Sequence, residues 1–388
     1  MKRAIIFLLL MFSYYLYSQV AIAAGHTTAF LPQGLSLPLL NGNGNSAINN
    51  DVANIGSINP AALENFNNFM FGFSYQYEPK IDESWIADIG SERMNNWVPQ
   101  SAGIVFPFND LRFGISMNQK YNRSMLIGQI KISTVEKPDG TGEFIEPKDE
   151  TLIYNYSFTT SYTYKNFLSN SELSFGFRFG LNNLTHYSEL YQSWIDASVN
   201  SSDFSFGILY STPKFDNHYF KFGIFYQSKL QFNEQVEIFR DEAKIDNDSP
   251  FPYPIYPTET NLVAKFPSSI QLDIDFTQLN KFQFLGSISN SFWSDLSDNF
   301  KNQIEVTGSV SFLFSESLTP SLGFAYSEKG YVKDYFKLNK KLDVIFLTAG
   351  AVLKLYDLSV NIAIADSHLL SGDFRKTTIG KLGLSYSF

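Results

Sequence analysis

The chain of 388 residues contains no cysteine, and only 17% of its residues are charged. The first absence excludes disulfide frameworks, zinc-thiolate sites and cysteine nucleophiles together. The second falls well short of the roughly one quarter of positions that ordinary globular domains give to Asp, Glu, Lys and Arg. Cations are the scarcer sign, 29 Lys and Arg against 38 Asp and Glu, for a net charge of −9. A phosphate-binding surface needs clustered Lys and Arg, so no nucleic-acid partner is expected. Beyond residue 23 no segment approaches the ~18 to 20 consecutive apolar residues of a spanning helix. Aromatics are what the chain has in excess, with 38 Phe and 22 Tyr. Mean hydropathy is nevertheless −0.11.

Residues 1–23 open with Lys2 and Arg3, run apolar from Ala4 to Leu16 and close on Ala21-Ile22-Ala23. That order of basic, apolar and small-x-small regions predicts a cleaved secretory signal peptide. The mature chain is then exported, and is expected to be a soluble protein or a β-barrel.

Periodicity separates these. In 269–276, Ile270, Leu272, Ile274 and Phe276 share one face, and Gln271, Asp273 and Asp275 the other. Leu173, Phe175, Phe177, Phe179 and Leu181 alternate in the same way with Ser174, Gly176, Arg178, Gly180 and Asn182. A soluble sandwich also alternates, so the connections decide. About 14 candidate strands run from 69–77 to 376–388, and their links alternate between short (Asn109-Asp110, Leu279-Asn280, Tyr356) and long (78–99, 120–150, 183–201, 230–267). An even strand number with short turns at one rim and long loops at the other predicts an antiparallel transmembrane β-barrel over 69–388. Closure satisfies the backbone without any continuous apolar run. The protein is expected to be a monomer with outer-membrane lipid around it. Phe388, ending the alternation of Leu382, Leu384 and Tyr386, resembles the signal read by barrel-insertion machinery.

Residues 24–68 carry no strand pattern. Asn59 followed by Pro60 and Ala61 reads as an N-cap with proline at the first helical position. Val52, Ile55, Ile58, Leu63 and Phe66 are too apolar for a disordered tail, so two short helical turns are expected as a hatch in the lumen.

The stretches NNDVANIGSINPAAL (49–63), FMFGFSYQYEP (69–79), WVPQSAGIVFPFNDLRFGISMNQKY (97–121), FSFGILYSTPKFDNHYFKFGIFYQSKL (204–230) and FPSSIQLDIDFTQLNKFQFLGSISNSFWSD (266–295) resemble the FadL/TodX outer-membrane transporters of long-chain fatty acids and hydrophobic aromatics. The hatch departs from the family's opening, with Gln33-Gly34-Leu35-Ser36 in its place. The resemblance implies a 14-stranded, all-β barrel with an N-terminal hatch. It also implies capture of an apolar ligand between outer loops, passage to an internal pocket and sideways release through the wall. No cofactor, nucleotide or ion coupling is implied.

Tyr187, Leu190, Tyr191, Trp194 and Ile195 fall at helical spacing, which predicts an amphipathic loop helix forming one side of an outer groove. Phe251 and Tyr253, in the proline-rich connection after Arg240, would form the other side; both sets also suit simple loop packing. Inside the barrel, parity predicts inward cations at Arg112, Arg178, Lys221, Lys354 and Lys381 and inward acids at Asp273, Asp275 and Glu305. Arg178 is the first choice for a ligand carboxylate, because a guanidinium matches its geometry. These cations are equally suited to pairing with the acids or the hatch. The four histidines, His26, His186, His218 and His368, lie far apart with no ligand spacing, so neither a metal site nor an enzyme is expected. A general porin and an adhesin are the remaining alternatives.

Overall fold

The computed structural model describes residues 50–78, 81–82, 91–93, 96–127, 130–131, 142, 144–145, 148–168, 170–190, 193–215, 217–240, 259–279, 281–296, 300–313, 315–328, 344–370 and 378–388. The leader, 24–49, Tyr191, Phe251 and Tyr253 lie outside these residues. Fourteen strands form the wall. The first seven are β1 Met70–Glu78, β2 Asn96–Phe108, β3 Leu111–Ile127, β4 Lys148–Lys165, β5 Glu172–Leu190, β6 Ser193–Ser211 and β7 His218–Gln227. The rest are β8 Ser269–Gln278, β9 Phe282–Ser291, β10 Gln303–Phe312, β11 Leu318–Ser327, β12 Val344–Leu355, β13 Leu358–Asp366 and β14 Thr378–Ser387. Each pairs antiparallel with the next, and β14 closes on β1 from Met70↔Ser387 to Tyr77↔Gly380.

Alternation sorts the side chains as expected. Phe175, Phe177, Phe179 and Leu181 of β5 and Phe204 and Phe206 of β6 are exposed on the outside, while Ser174, Arg178, Asn182 and Ser205 are buried inside. An exposed apolar belt of this extent is stable only against hydrocarbon. The tight turns gather at one rim, where Asn109, Asn166, Asn170 and Tyr356 take positive φ. Asparagine tolerates that conformation because its short polar side chain bonds locally. Aromatic contacts band the same rim: Phe69 lies 4.7 Å from Phe388 and 4.9 Å from Phe106, and Phe220 lies 4.8 Å from Phe276.

Two expectations need correction. The predicted loop helix over Tyr187 to Ile195 is absent from its described residues, because β5 and β6 continue as a hairpin paired from Ser193↔Leu190 down to Ser211↔Glu172. Leu184, His186, Ala197 and Val199 satisfy a period of two and are buried, whereas Tyr187 and Trp194 sit away from that core face. The segment thus carries both periods. Pairing with β4 on one side, from Lys148↔Glu189 onward, decides for the strand. His186 is buried on β5 with Nδ1 2.9 Å from Thr151 Oγ1. The second correction concerns Lys354, which is exposed beside the short-turn rim rather than buried in the lumen.

Strands β3 to β6 therefore stand beyond the belt as a tall sheet. A further hairpin, Leu230–Glu237 paired with Glu259–Phe266, packs on its inner face. Tyr121, Ile153, Leu184 and Val199 meet Leu230, Phe232, Leu262 and Ala264 in that second core.

Candidate functional site: the lumen plug and a window in the wall

Residues 51–66 fill the lumen near the short-turn rim as two 3₁₀ turns, Val52–Asn54 and Pro60–Asn65. Each has a side-chain cap. Asp51 Oδ1 accepts from Ala53 N at 3.1 Å, and Asn59 Oδ1 from Ala61 N at 3.0 Å with Pro60 at the first position. Val52, Ile55, Ile58, Leu63 and Phe66 pack on Val105, Leu209 and Leu285 of the wall.

The open carbonyl ends of such turns need donors, and the inward arginines supply them. Arg178 Nη1 donates to Ile58 O at 2.8 Å and Ile55 O at 3.2 Å, and its Nη2 to Ser205 Oγ at 3.1 Å. Arg112 Nε donates to Phe66 O at 2.7 Å. Lys221 Nζ pairs with Glu64 Oε1 at 2.9 Å, and Glu64 also accepts from Ser211 and Ser174. Asn59 Nδ2 reaches Ile224 O and Ile208 O on adjacent strands. Three of the five expected inward cations, Arg112, Arg178 and Lys221, thus hold the plug. Lys381 differs: it is 4% exposed and its Nζ has no hydrogen-bond partner among the described residues. It lies across from Gln76 on β1, one step beyond the row in which Ser74 and Ser101 meet Asn54.

The wall has an opening. The β2–β3 ladder runs from Phe108↔Leu111 only to Ser101↔Asn118, and β3 next pairs on that side at Arg93↔Met125. Between them β2 stays with β1 and β3 with β4, each past a register shift, at Ser74/Tyr75 and at Gln119/Tyr121. Bulges of this kind bend a strand and end its pairing. Pro99, with no N–H, removes one donor from β2 at the same level. Toward β2, residues 119–124 of β3 have no ladder partner among the described residues, a length of about 20 Å at ~3.3 Å per residue. Seven ladder steps at the usual barrel tilt place the sill about 17 Å above the short-turn rim, inside a belt typically ~25 Å tall.

Two side chains border this window. Gln100 is fully buried, and neither polar atom of its side chain has a partner among the described residues. Tyr154 of β4 reaches over β3: its hydroxyl donates to Pro99 O at 3.4 Å and accepts from Gln119 Nε2 at 3.3 Å. Lys120, at the β3 bulge, places its ammonium on Asp203 of β6. In the sequence Lys120 falls within the long connection 120–150, and the one signal that marks Asp203 is the inward parity it shares with Ser205 and Gly207.

No family model matches the chain, and no curated relative matches it in sequence. Solved structures do match. The Ralstonia pickettii toluene transporter TbuX aligns with a TM-score of 0.62 at 11% identity, covering 92% of this chain and 98% of its own. The Pseudomonas putida toluene transporter TodX gives 0.59 at 12%, covering 91% and 96%. A Pseudomonas aeruginosa FadL homologue gives 0.54 at 12%, covering 87% and 94%. The chain therefore has the closed 14-stranded barrel fold that these structures share.

Proposed function

We propose that this protein is an outer-membrane channel of a Gram-negative bacterium for the passive uptake of hydrophobic molecules. The observation that carries the reading is the pairing of a plugged lumen with a window whose sill falls inside the apolar belt. A polar solute meets the plug, whereas an apolar one has an exit into hydrocarbon. In this reading residues 1–23 are a leader, 24–68 a hatch that gates the lumen, and 69–388 the barrel. The protein acts as a monomer in outer-membrane lipid, delivered by insertion machinery that reads Phe388.

Long-chain fatty acids are the proposed cargo. Lys381 supports this, because its buried ammonium, with the Asp51 carboxylate near it, makes no hydrogen bond among the described residues and so can donate to a carboxylate head group. Arg178, Lys221 and Arg112 would reach ligand only as the plug yields. Tyr187 and Trp194 on the tall hairpin, together with Tyr191, Phe251 and Tyr253, are proposed to line the outer groove. The toluene transporters of the same fold favour a second reading, uptake of aromatic hydrocarbons by the same path.

Proteoliposomes test both. Uptake of oleate or toluene with slow leakage of a small sugar supports the channel, and rapid sugar leakage overturns it in favour of a porin. Lys381→Met is expected to weaken oleate binding about 10- to 100-fold, the worth of a hydrogen bond to a charged group. Toluene binding should stay constant, and equal loss of both ligands would remove Lys381 from the head-group role. Tyr154→Phe is expected to speed exit through the window two- to fivefold, since its two bonds are long and each such bond is worth only about 0.5–1.5 kcal/mol. Stopped-flow delivery of a fluorescent fatty acid to the bilayer measures this.

A further inference from the structure

We infer that the Lys120–Asp203 ion pair is the strut that keeps the window formed. Asp203 is then a positioning residue for the exit, acting through Lys120. The inference rests on reading the window as the exit path.

Lys120 lies at the β3 bulge, where β3 parts from β2, and its ammonium crosses the lumen face to β6, three strands along. The pair is held inside, with the Asp203 side chain 4% exposed. The carboxylate is fixed on all sides. Asn182 Nδ2 donates to its Oδ1 at 2.9 Å, Asn155 Nδ2 to the same oxygen at 3.5 Å, and Gln227 Nε2 to its Oδ2 at 3.3 Å. Opposite Asp203 on β5 stands Gly180, where an added Cβ would lie 2.4 Å from Asp203 Oδ1 and from Asn155 Nδ2. Four elements thus converge to seat one acid whose ion-pair partner is the bulge lysine.

Energetically the pair opposes the re-formation of sheet. Continuing the β2–β3 ladder would set Gln100 against Gln119 and gain main-chain bonds. It would also draw Lys120 back into register and leave a buried charge alone, which is costly. Gln100, buried with both side-chain polar atoms unpartnered among the described residues, would gain Gln119 beside it. The same acid is linked to the plug. Ser205 faces Arg178 across the strands, so Asp203, two residues along on the same face, is its diagonal neighbour. When Ile55 O and Ile58 O leave Arg178, Asp203 is the acid beside it. Arg178 then competes with Lys120, so the plug in its seat supports the strut.

Because the chain has no cysteine, a disulfide reporter is clean. Gln100→Cys with Gln119→Cys brings Cα atoms to about 5 Å when the ladder zips, so the rate of oxidation follows zipping. Lys120→Met and Asp203→Asn are each expected to speed oxidation about tenfold, a coupling ordinary for contacting charged residues. Lys120→Arg should keep the slow rate. The double variant Lys120→Met/Asp203→Asn separates the strut from simple stability: it leaves no orphan charge, so heat resistance returns while oxidation stays fast and oleate delivery stays low. Unchanged oxidation in both single variants, or normal delivery by the double variant, overturns the inference. Oxidation reads the window without transport. If it responds while the parent protein delivers neither oleate nor toluene, the strut stands and the channel reading fails.

Discussion

Gly176→Leu is expected to convert the plugged barrel into an open pore. At Gly176 an added Cβ would stand 2.2 Å from Ala61 N and from Pro60 C, backbone atoms that no rotamer change can move. Gly103 repeats the situation, with Val52 O at 2.1 Å. The wall is therefore shaped to the plug at both turns. Overpacking a tight site costs about 1–3 kcal/mol, and a main-chain clash lies at the upper end. At 3 kcal/mol the displaced plug gains roughly 100-fold in population. The outer face of β5 is untouched, so the barrel should still insert and resist heat. Liposome swelling in arabinose, or single-channel conductance, should rise sharply. A folded variant with parental permeability would mean that the turns do not seal the lumen.

Arg178→Ala should release the plug by another route. The change strips donors from Ile55 O and Ile58 O and takes a cation from beside Asp203. Breaking a buried charged network typically costs about 3–5 kcal/mol. Protease cleavage within 50–68 in reconstituted protein should quicken accordingly. Arg178→Lys should recover only part of the protection, because an ammonium cannot reproduce a fork aimed at two carbonyls. Combined with Gly176→Leu, the loss should be clearly less than additive, since an unseated plug has no bond to Arg178 left to lose. Full additivity would show that Arg178 stabilises the wall itself.

The strand pattern was legible because lipid imposes one rule on every outward position. Phe175, Phe177 and Phe179 can be read as outward without knowing their neighbours. Asn59, Pro60 and Ala61 were legible for a local reason, since cap and proline act within three residues. The tall hairpin was not, because above the belt the lipid rule lapses and Tyr187 to Ile195 fits two periods. The partners of Arg178 were also hidden. Parity says which way its side chain points, but Ile55 and Ile58 are more than a hundred residues away in sequence. Lys120 was hardest to place, because a bulge breaks the alternation on which parity depends.

The seam between β1 and β14 has a consequence for the order of assembly. Met70 meets Ser387 across nearly the whole length of the barrel sequence, so this ladder is the most non-local in the molecule. Such contacts form slowly, since the loop entropy must be met before they contribute. The plug is continuous with β1 and lies inside the finished ring. It must already be lodged against the curling sheet when the seam zips, or else thread a closed cylinder afterwards. The bonds from Arg178 on β5 and Lys221 on β7, strands far from the seam, thereby act early as a template that gathers the sheet around its own stopper.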